Sequence, residues 1–282
     1  MMRVLDLCTF IIAREKVRVN KADGLPRAKW TKDPILAKYR FCNIHREDDA
    51  VTKWIARHWR DDFMSGNRPD HLWFAMVIAR LFNNPDTLAE IGFPLPYKPE
   101  KLRAALHRRK ARGDKVFNSA YIVSTNGHTG DKIDYLFDKV LGPLWTSREW
   151  AMPTKGDTLA DFHERLMTFD GLGSFMAAQV VADMKYVEPL RSASDWQTFA
   201  ASGPGSRRGL NRVCGLPVDN YWRGTNWNVT LETLHMAVNA RLAKHDIELH
   251  AQDLQNCLCE FDKYERVRLG EGTPKQLYKE KS

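Results

Sequence analysis

The chain has 282 residues, of which 43% are hydrophobic and 11% aromatic, so it can build a sizeable core and global disorder is excluded. Its net charge of +8 favours a polyanionic partner, with cations in blocks such as "HRRKARGDK" (107–115) and "KYERVR" (263–268). No stretch approaches the roughly 20 apolar residues of a membrane helix, and the five cysteines form no C-x-x-C pair. We therefore expect a soluble, cytoplasmic protein with no membrane association and no metal site.

Apolar residues recur at helical spacing along most of the chain. The predicted helices, in chain order, cover 43–63, 71–82, 98–112, 131–141, 158–169, 175–185, 229–244 and 253–269. Only "KVRVN" (16–20) alternates as a strand does, and the ends, 1–28 and 270–282, are predicted to be peripheral. The proline-rich stretch 92–100 is predicted to be a loop and a subdomain hinge. We expect a mainly all-α fold, in a single domain 1–282 with its core at about 39–268.

A first polar group lies in "RFCNIHREDDAVTKWI" (40–55). Four of its side chains would cluster over one helical turn, where they could orient a polar substrate. They are Asn43, Arg46, Glu47 and Asp48. Acidic residues at a helix start also stabilise the helix through its macrodipole, so capping is the alternative interpretation.

The segment "FDGLGSFMAAQVVADMKY" (169–186) resembles a helix-hairpin-helix element. Gly171 and Gly173 would let the backbone turn tightly and approach a DNA phosphate, and the helix beginning at Ser174 would offer free N–H groups. Arg108 and Arg109, in the basic helix 98–112, are further candidate DNA-binding residues. An ordinary turn between two helices is the alternative.

The same hairpin is similar to that of base-excision DNA glycosylases, in which a catalytic aspartate follows about twenty residues later. Asp195 lies 22 residues after Gly173 and would hold that position, although it could equally cap the helix that follows it. The lysine that bifunctional glycosylases carry in the hairpin is absent here, which disfavours a lyase.

The stretch "GPGSRRGLNR" (203–212) combines turn-forming glycines and a proline with closely spaced arginines. We expect a tight turn at 203–205 from which Arg207, Arg208 and Arg212 can grip an anionic partner. Near the C-terminus, Glu260 and Lys263 lie three residues apart on a predicted helix and can meet on one face, either in a site or as a surface ion pair.

Together, "RFCNIHREDDAVTKWI", "GPGSRRGLNR" and "LCEFDKYERVR" resemble the alpha-glutamyl/putrescinyl thymine pyrophosphorylases, the amino acid:DNA transferases of phage thymine hypermodification. This family shares a DNA-glycosylase-like helical domain with the hydroxymethyluracil DNA kinases. The resemblance covers about Tyr39 to Arg268. The chain contains no phosphate-binding loop of the form G-x-x-x-x-G-K-[ST], and this favours the transferase branch over the kinase branch.

The resemblance implies that an amine or amino acid displaces pyrophosphate from 5-(pyrophosphoryloxymethyl)uracil in double-stranded DNA of an infected bacterial cell. Glu47 is the preferred general base, Asp195 is the second choice, and Glu260 is an orienting residue. The arginines would hold either the leaving pyrophosphate or the DNA backbone. The target base would be flipped out or approached through the major groove.

No cofactor is required by this chemistry, although Mg²⁺ is a candidate because phosphate chemistry often recruits it. Two other functions stay open. One is a helix-hairpin-helix DNA glycosylase that acts through Asp195, and the other is a non-catalytic DNA-binding module.

Overall fold

The computed structural model describes residues 2–61, 69–118 and 123–278. Throughout these ranges the regular elements are helices, and the β-type pairing is limited to an isolated antiparallel bridge between Tyr39 and Leu277. The predicted all-α fold is therefore confirmed. The chain divides into two compact units: Met1–Asp49 with Gln197–Ser282, called unit 1, and Ala50–Trp196, called unit 2.

The helices of unit 1 come from both ends of the chain. They are α1 (Val4–Ala22), α2 (Pro34–Lys38), α12 (Pro204–Cys214), α13 (Gly224–Leu242) and α14 (Ala251–Arg268). Unit 2 holds the intervening helices. They are α3 (Ala50–Ile55), α4 (Leu72–Phe82), α5 (Pro85–Ile91), α6 (Pro99–Ala111), α7 (Lys132–Tyr135), α8 (Gly142–Thr146), α9 (Arg148–Ala151), α10 (Leu159–Met167) and α11 (Ser174–Met184).

Helix α1 belongs to the core of unit 1, so the prediction of a peripheral N-terminal segment is wrong. Leu7 and Ile11, one helical turn apart, are fully buried, and the Phe10 ring lies 5.6 Å from Phe261 and 4.9 Å from Tyr264. The strand-like stretch "KVRVN" lies inside this helix. The alternation there covers too few residues to outweigh the helical spacing of the apolar residues before it.

Helix α12 replaces the predicted turn at 203–205. Pro204 occupies the first helical position, where its missing N–H is no loss, and the Ser206 hydroxyl accepts a hydrogen bond of 3.0 Å from the Gly203 N–H. The glycines face helix α14 instead of a phosphate. A Cβ on Gly205 would lie 2.5 Å from the Cys259 Sγ, and one on Gly209 would lie 2.0 Å from the Leu258 carbonyl oxygen. They allow the two helices to approach closely.

Unit 2 is built around α4, all of whose residues are buried. A buried ion pair joins this helix to α11: the Arg80 Nε donates to an Asp183 oxygen at 2.6 Å. The predicted loop at 92–100 connects α5 to α6 within unit 2, so it does not coincide with a border between the units. The single-domain organisation with a hinge there stays a prediction.

The predicted helix 43–63 is divided in the structure. A 3₁₀ turn at Arg46–Asp48 precedes α3, which passes into a π-helical turn at Ala56–Arg60. The end of that prediction, from Asp62 to Phe63, lies outside the described residues.

Candidate functional site

In unit 2, α10 and α11 are joined by the glycine-containing turn 168–173, as the sequence predicts. Gly171 has φ +75°, and a Cβ there would lie 2.6 Å from the Val140 Cγ2, so both conformation and packing require glycine. Gly173 precedes Ser174 at the start of α11 and has open space around it. The turn borders an open depression of about 720 Å³. The geometry suits a backbone approach to phosphate, while DNA binding stays a prediction.

The two arginines predicted on the basic helix have different environments. Arg108 is exposed on α6. Arg109 is buried, where its Nη1 donates to Glu90 at 2.7 Å and its Nε to the Lys115 carbonyl at 3.0 Å. Arg108 can therefore reach a polyanion, whereas the Arg109 guanidinium is engaged within the fold.

Asp195 contacts the beginning of a helix. Its carboxylate accepts hydrogen bonds from the Leu159 N–H at 2.7 Å and the Ala160 N–H at 3.0 Å, the first two N–H groups of α10. These contacts match the capping interpretation, although the capped helix precedes Asp195 in the chain instead of following it. A catalytic role of Asp195 stays a prediction.

In unit 1, the segment 42–49 lies against α14 and α1. Asp253 accepts hydrogen bonds from the Arg46 N–H at 3.0 Å and from the His45 ring at 3.1 Å, and this contact raises the pKa of His45. The buried Arg14 donates through Nη2 to the carbonyl oxygens of Cys42 and Asn43 at 2.7 and 2.8 Å. The segment is thus fixed from two sides, and Arg14 and Asp253 are contributions that sequence reasoning missed.

Most of the polar residues predicted around position 46 meet in this segment. The Asn43 side chain donates to the Asp48 carbonyl at 2.9 Å, and the Asn43 N–H donates to the Asp49 Oδ1 at 3.1 Å. Glu47 and Asp48 are partly buried in the same 3₁₀ turn, and an Asp48 oxygen lies 3.7 Å from the Arg18 Nε. The structure therefore brings these residues together, although in a turn and not along a helix face.

Asp49 is a carboxylate that sequence reasoning did not single out. Burial raises its pKa, while the hydrogen bond from Asn43 and the positive charge of Arg46 oppose part of the rise and the nearby Glu260 adds to it. Within the described residues, its Oδ2 accepts no hydrogen bond. In the sequence, Asp49 could have been noticed as the last residue of the run "REDD" (46–49).

Glu260 and Lys263 form the pair that their spacing predicts. The Lys263 Nζ lies 2.7 and 2.8 Å from the two Glu260 oxygens, and the Cys42 N–H donates to one of them at 3.2 Å. The Glu260 side chain is only 4% exposed, so this is not a surface ion pair. Both Glu260 oxygens are engaged, which suits an orienting role.

The arginines of α12 meet a second carboxylate of α14. The Asp262 side chain, 1% exposed, lies 3.0 Å from the Arg208 Nε and 2.9 Å from the Arg212 Nε. The Arg266 Nε, one helical turn further along α14, lies 3.3 Å from the same carboxylate. Sequence reasoning missed Asp262 and Arg266, and their i, i+4 spacing was the available signal. We call Asp262, Arg208, Arg212 and Arg266 the Asp262 cluster.

The three arginines that the sequence predicts to bind phosphate have different environments. Arg212 is buried and is also paired with Glu271, so its guanidinium is engaged on both sides. Arg208 is 41% exposed and touches Asp262 through Nε alone. Arg207 is partly buried, and its Nε has no hydrogen-bond partner among the described residues.

Cys259 lies on α14, one residue before Glu260 and three before Asp262. Burial raises the pKa of its thiol, the charges of Glu260 and Asp262 raise it further, and those of Lys263 and Arg208 oppose the rise. Residues 260–266 carry the Glu260–Lys263 pair together with Asp262 and Arg266 of the Asp262 cluster, so both groups lie within two turns of α14.

A potential cation site lies in unit 2. Ligand atoms of His107, Asp131 and Asp134 lie within 4.8 Å of one another. However, Lys110 is paired with Asp131, and the His107 Nε2 lies 2.8 Å from an Asp134 oxygen. These carboxylates thus already have partners within the fold, and a role for Mg²⁺ stays a prediction. Within the described ranges, no helix has the length and apolar character to cross a bilayer.

Fold and site define an all-α protein in which one helix, α14, carries a pair of a buried glutamate with a lysine and also carries part of an arginine cluster. Residues 2–273 match the family described as "5-hmdU DNA kinase, helical domain", and the chain belongs to that family. A 5-hmdU DNA kinase of Bacillus phage SP10 is 26% identical over 207 residues, which cover 65% of this chain and 32% of the relative. The match thus spans about a third of the relative's length. No solved structure matches the chain.

These matches confirm the predicted relation to the helical domain of the hydroxymethyluracil DNA kinases. They do not distinguish the transferase branch, which stays a prediction.

Proposed function

We propose that this chain acts on phage DNA carrying a 5-hydroxymethyluracil-derived base and replaces a pyrophosphate on that base by an amine or amino acid. Membership of the 5-hmdU DNA kinase helical-domain family supports the nucleic-acid substrate. The observation that carries the proposal is the set of charged side chains on two turns of α14, where the Glu260–Lys263 pair and the Asp262–Arg266 pair both lie within residues 260–266. Carboxylates beside arginines can handle an amine and an anionic leaving group together.

In the proposed step, the amine nitrogen attacks the methylene carbon attached to position 5 of the base. A carbon–nitrogen bond forms while the bond from that carbon to the pyrophosphate oxygen breaks, and pyrophosphate leaves with the electron pair. A carboxylate accepts the proton that the amine loses, because an ammonium ion cannot attack. The protein therefore has to supply a base and cations for the leaving group.

Asp49 has the contacts that suit the base. Its Oδ2 accepts no hydrogen bond from the described residues, and its raised pKa makes it a stronger proton acceptor than an ordinary aspartate. Glu47, the base preferred on sequence grounds, lies in the adjoining 3₁₀ turn and is the alternative. Glu260 is held by Lys263 and by the Cys42 N–H, so we assign it to orientation of the amine.

The test is incubation of the protein with duplex DNA that carries pyrophosphorylated hydroxymethyluracil, together with a panel containing glycine, glutamate and putrescine. Digestion and nucleoside mass spectrometry should detect an amine adduct, with one pyrophosphate released for each adduct. Unmodified duplex is the control. Intact pyrophosphorylated nucleoside with every amine would overturn the proposal.

A second candidate function is favoured by the extent of the match. The family is described as a domain of a kinase, and the alignment covers only 32% of the phage SP10 relative. The chain would then recognise 5-hmdU in DNA without transforming it. This function predicts tighter binding to duplex containing hydroxymethyluracil than to thymine duplex, with every nucleoside unchanged after incubation.

A further inference from the structure

The Asp262 cluster carries more positive charge than the carboxylates paired with it neutralise. Arg208, Arg212 and Arg266 converge on a carboxylate that is 1% exposed. Glu271 is the other carboxylate paired in the cluster, and it contacts Arg212. One buried anion thus aligns three cations, and an excess of positive charge remains on the exposed side of the cluster.

The three arginines fall into two classes. Arg212 is only 5% exposed and is paired through both ends of its guanidinium, so it stabilises the contact between α12 and α14. Arg208 and Arg266 are 41% and 36% exposed. The Arg208 Nε donates a hydrogen bond to Asp262, whereas the buried Arg266 Nε lies 3.3 Å from that carboxylate and forms no hydrogen bond among the described residues. Within the described part of the chain, the Nη groups of these two side chains donate no hydrogen bonds.

An arginine whose Nε faces a carboxylate while both Nη groups stay available presents the planar edge that binds two oxygens of one phosphate. Asp262 hydrogen-bonds Arg208 and forms an ion pair with Arg266, and such pairing reduces the conformational entropy that the two side chains would lose on binding. Surface lysines would not offer the same fixed geometry, since an ammonium group is a point charge on a flexible stem.

We infer that Arg208 and Arg266 bind phosphate oxygens, with Asp262 as the residue that positions them. Arg266 is thereby a phosphate ligand that the sequence did not suggest, and Arg212 serves the fold. The inference deepens the proposed function and rests on it in naming the leaving pyrophosphate as the first ligand. The same chemistry occurs in the phosphodiesters of DNA, so the experiment separates the two sources.

The test uses the full chain and isothermal titration with inorganic pyrophosphate, together with a separate titration by an unmodified DNA duplex. Arg266→Ala and Arg208→Ala should each weaken phosphate binding about tenfold or more, because each removes a charge-assisted contact. Arg268→Ala is the matched control. Arg268 lies on the same helix but pairs with Glu265, so its loss should change affinity less than about twofold.

The Asp262→Asn variant distinguishes a positioning role of Asp262 from a simple effect of net charge on phosphate binding. The substitution makes the cluster more positive, so non-specific attraction predicts tighter phosphate binding, whereas positioning predicts weaker binding. Weaker binding with an unchanged circular dichroism spectrum supports the assignment. Tighter or unchanged binding overturns the role of Asp262. If the variant does not fold, Asp262→Glu keeps the charge but displaces the arginines, and it should also weaken binding.

The two titrations identify the source of the phosphate. A loss confined to pyrophosphate supports the leaving-group site, and a loss confined to duplex, with a shallower salt dependence, supports a DNA-backbone site. An Arg266→Ala variant that matches the wild type in both titrations overturns the inference. The proposed function fails separately: Arg266-dependent pyrophosphate binding without any amine adduct would refute transfer and leave this site intact.

Discussion

The close approach of α12 to α14 can be tested by adding one methyl group. Gly209→Ala would place a Cβ 2.0 Å from the Leu258 carbonyl oxygen and 2.6 Å from its carbonyl carbon. Carbon–oxygen contacts between neighbouring elements are about 3.3 Å or longer, so the helices would have to separate by roughly 1.3 Å. The obstacle is backbone, which cannot rotate away as the end of a side chain can.

The expected energy change combines two opposing effects. Overpacking of this kind destabilises a protein by about 1–3 kcal/mol, and a backbone obstacle places Gly209→Ala at the upper end of that range. Alanine is favoured over glycine inside a helix by about 1 kcal/mol, which offsets part of the loss. We therefore expect the free energy of unfolding to fall by about 2 kcal/mol.

Urea denaturation followed by circular dichroism measures this change, with Gly203→Ala as the control. Gly203 immediately precedes α12, has φ −128°, and would place its Cβ at 3.8 Å from the Gln255 and Ser206 side chains, which is an ordinary contact. Its alanine variant should unfold within about 1 kcal/mol of the wild type. If Gly209→Ala is as stable as Gly203→Ala, the reasoning about helix approach is refuted.

Three further predictions concern unit 2 and the proposed base. Gly171→Ala should destabilise the protein by about 2 kcal/mol or more in urea denaturation, because it combines a strained positive φ with a clash. Arg108→Ala should weaken DNA binding and lower its salt dependence in fluorescence anisotropy, whereas Arg109→Ala should mainly lower the melting temperature. Amine transfer should decline as pH falls through the raised pKa of Asp49, where the base becomes protonated, and Asp49→Asn should lose most of the rate at every pH. A wild-type pH–rate profile in Asp49→Asn would transfer the role to Glu47.

Helices with a continuous apolar stripe could be predicted to within a few residues. Helices α4, α6, α10, α11 and α14 all lie within predicted segments or extend at most two residues beyond them. Helix α4 is buried along its whole length, and the buried residues of the other four recur at about the helical period. Local signals such as Asn83 in the left-handed region after α4 mark helix ends. Local sequence is enough to predict these helices because the residues that form the apolar pattern are the residues that become buried.

Helix α12 could not be recognised in the same way. Its glycines and proline have the composition of a turn, and local propensity favours that interpretation. In the structure, Gly205 and Gly209 make room for another helix, which begins more than forty residues later in the chain. The advantage of a helix there depends on a partner surface that local reasoning does not contain, so tertiary packing overrides propensity.

In the candidate site, too, contacts within one helix could be predicted and contacts between helices could not. The Glu260–Lys263 pair was predictable because i, i+3 spacing on one helix brings two side chains together without help from another element. Only part of the Asp262 cluster could be predicted. The i, i+4 pair of Asp262 and Arg266 is local, whereas the contact of Asp262 with Arg208 depends on how α12 and α14 pack. Glycine at position 209 therefore bears on chemistry as well as stability. If Gly209→Ala separates the helices, pyrophosphate affinity should fall along with stability, although Gly209 has no side chain with which to touch a ligand.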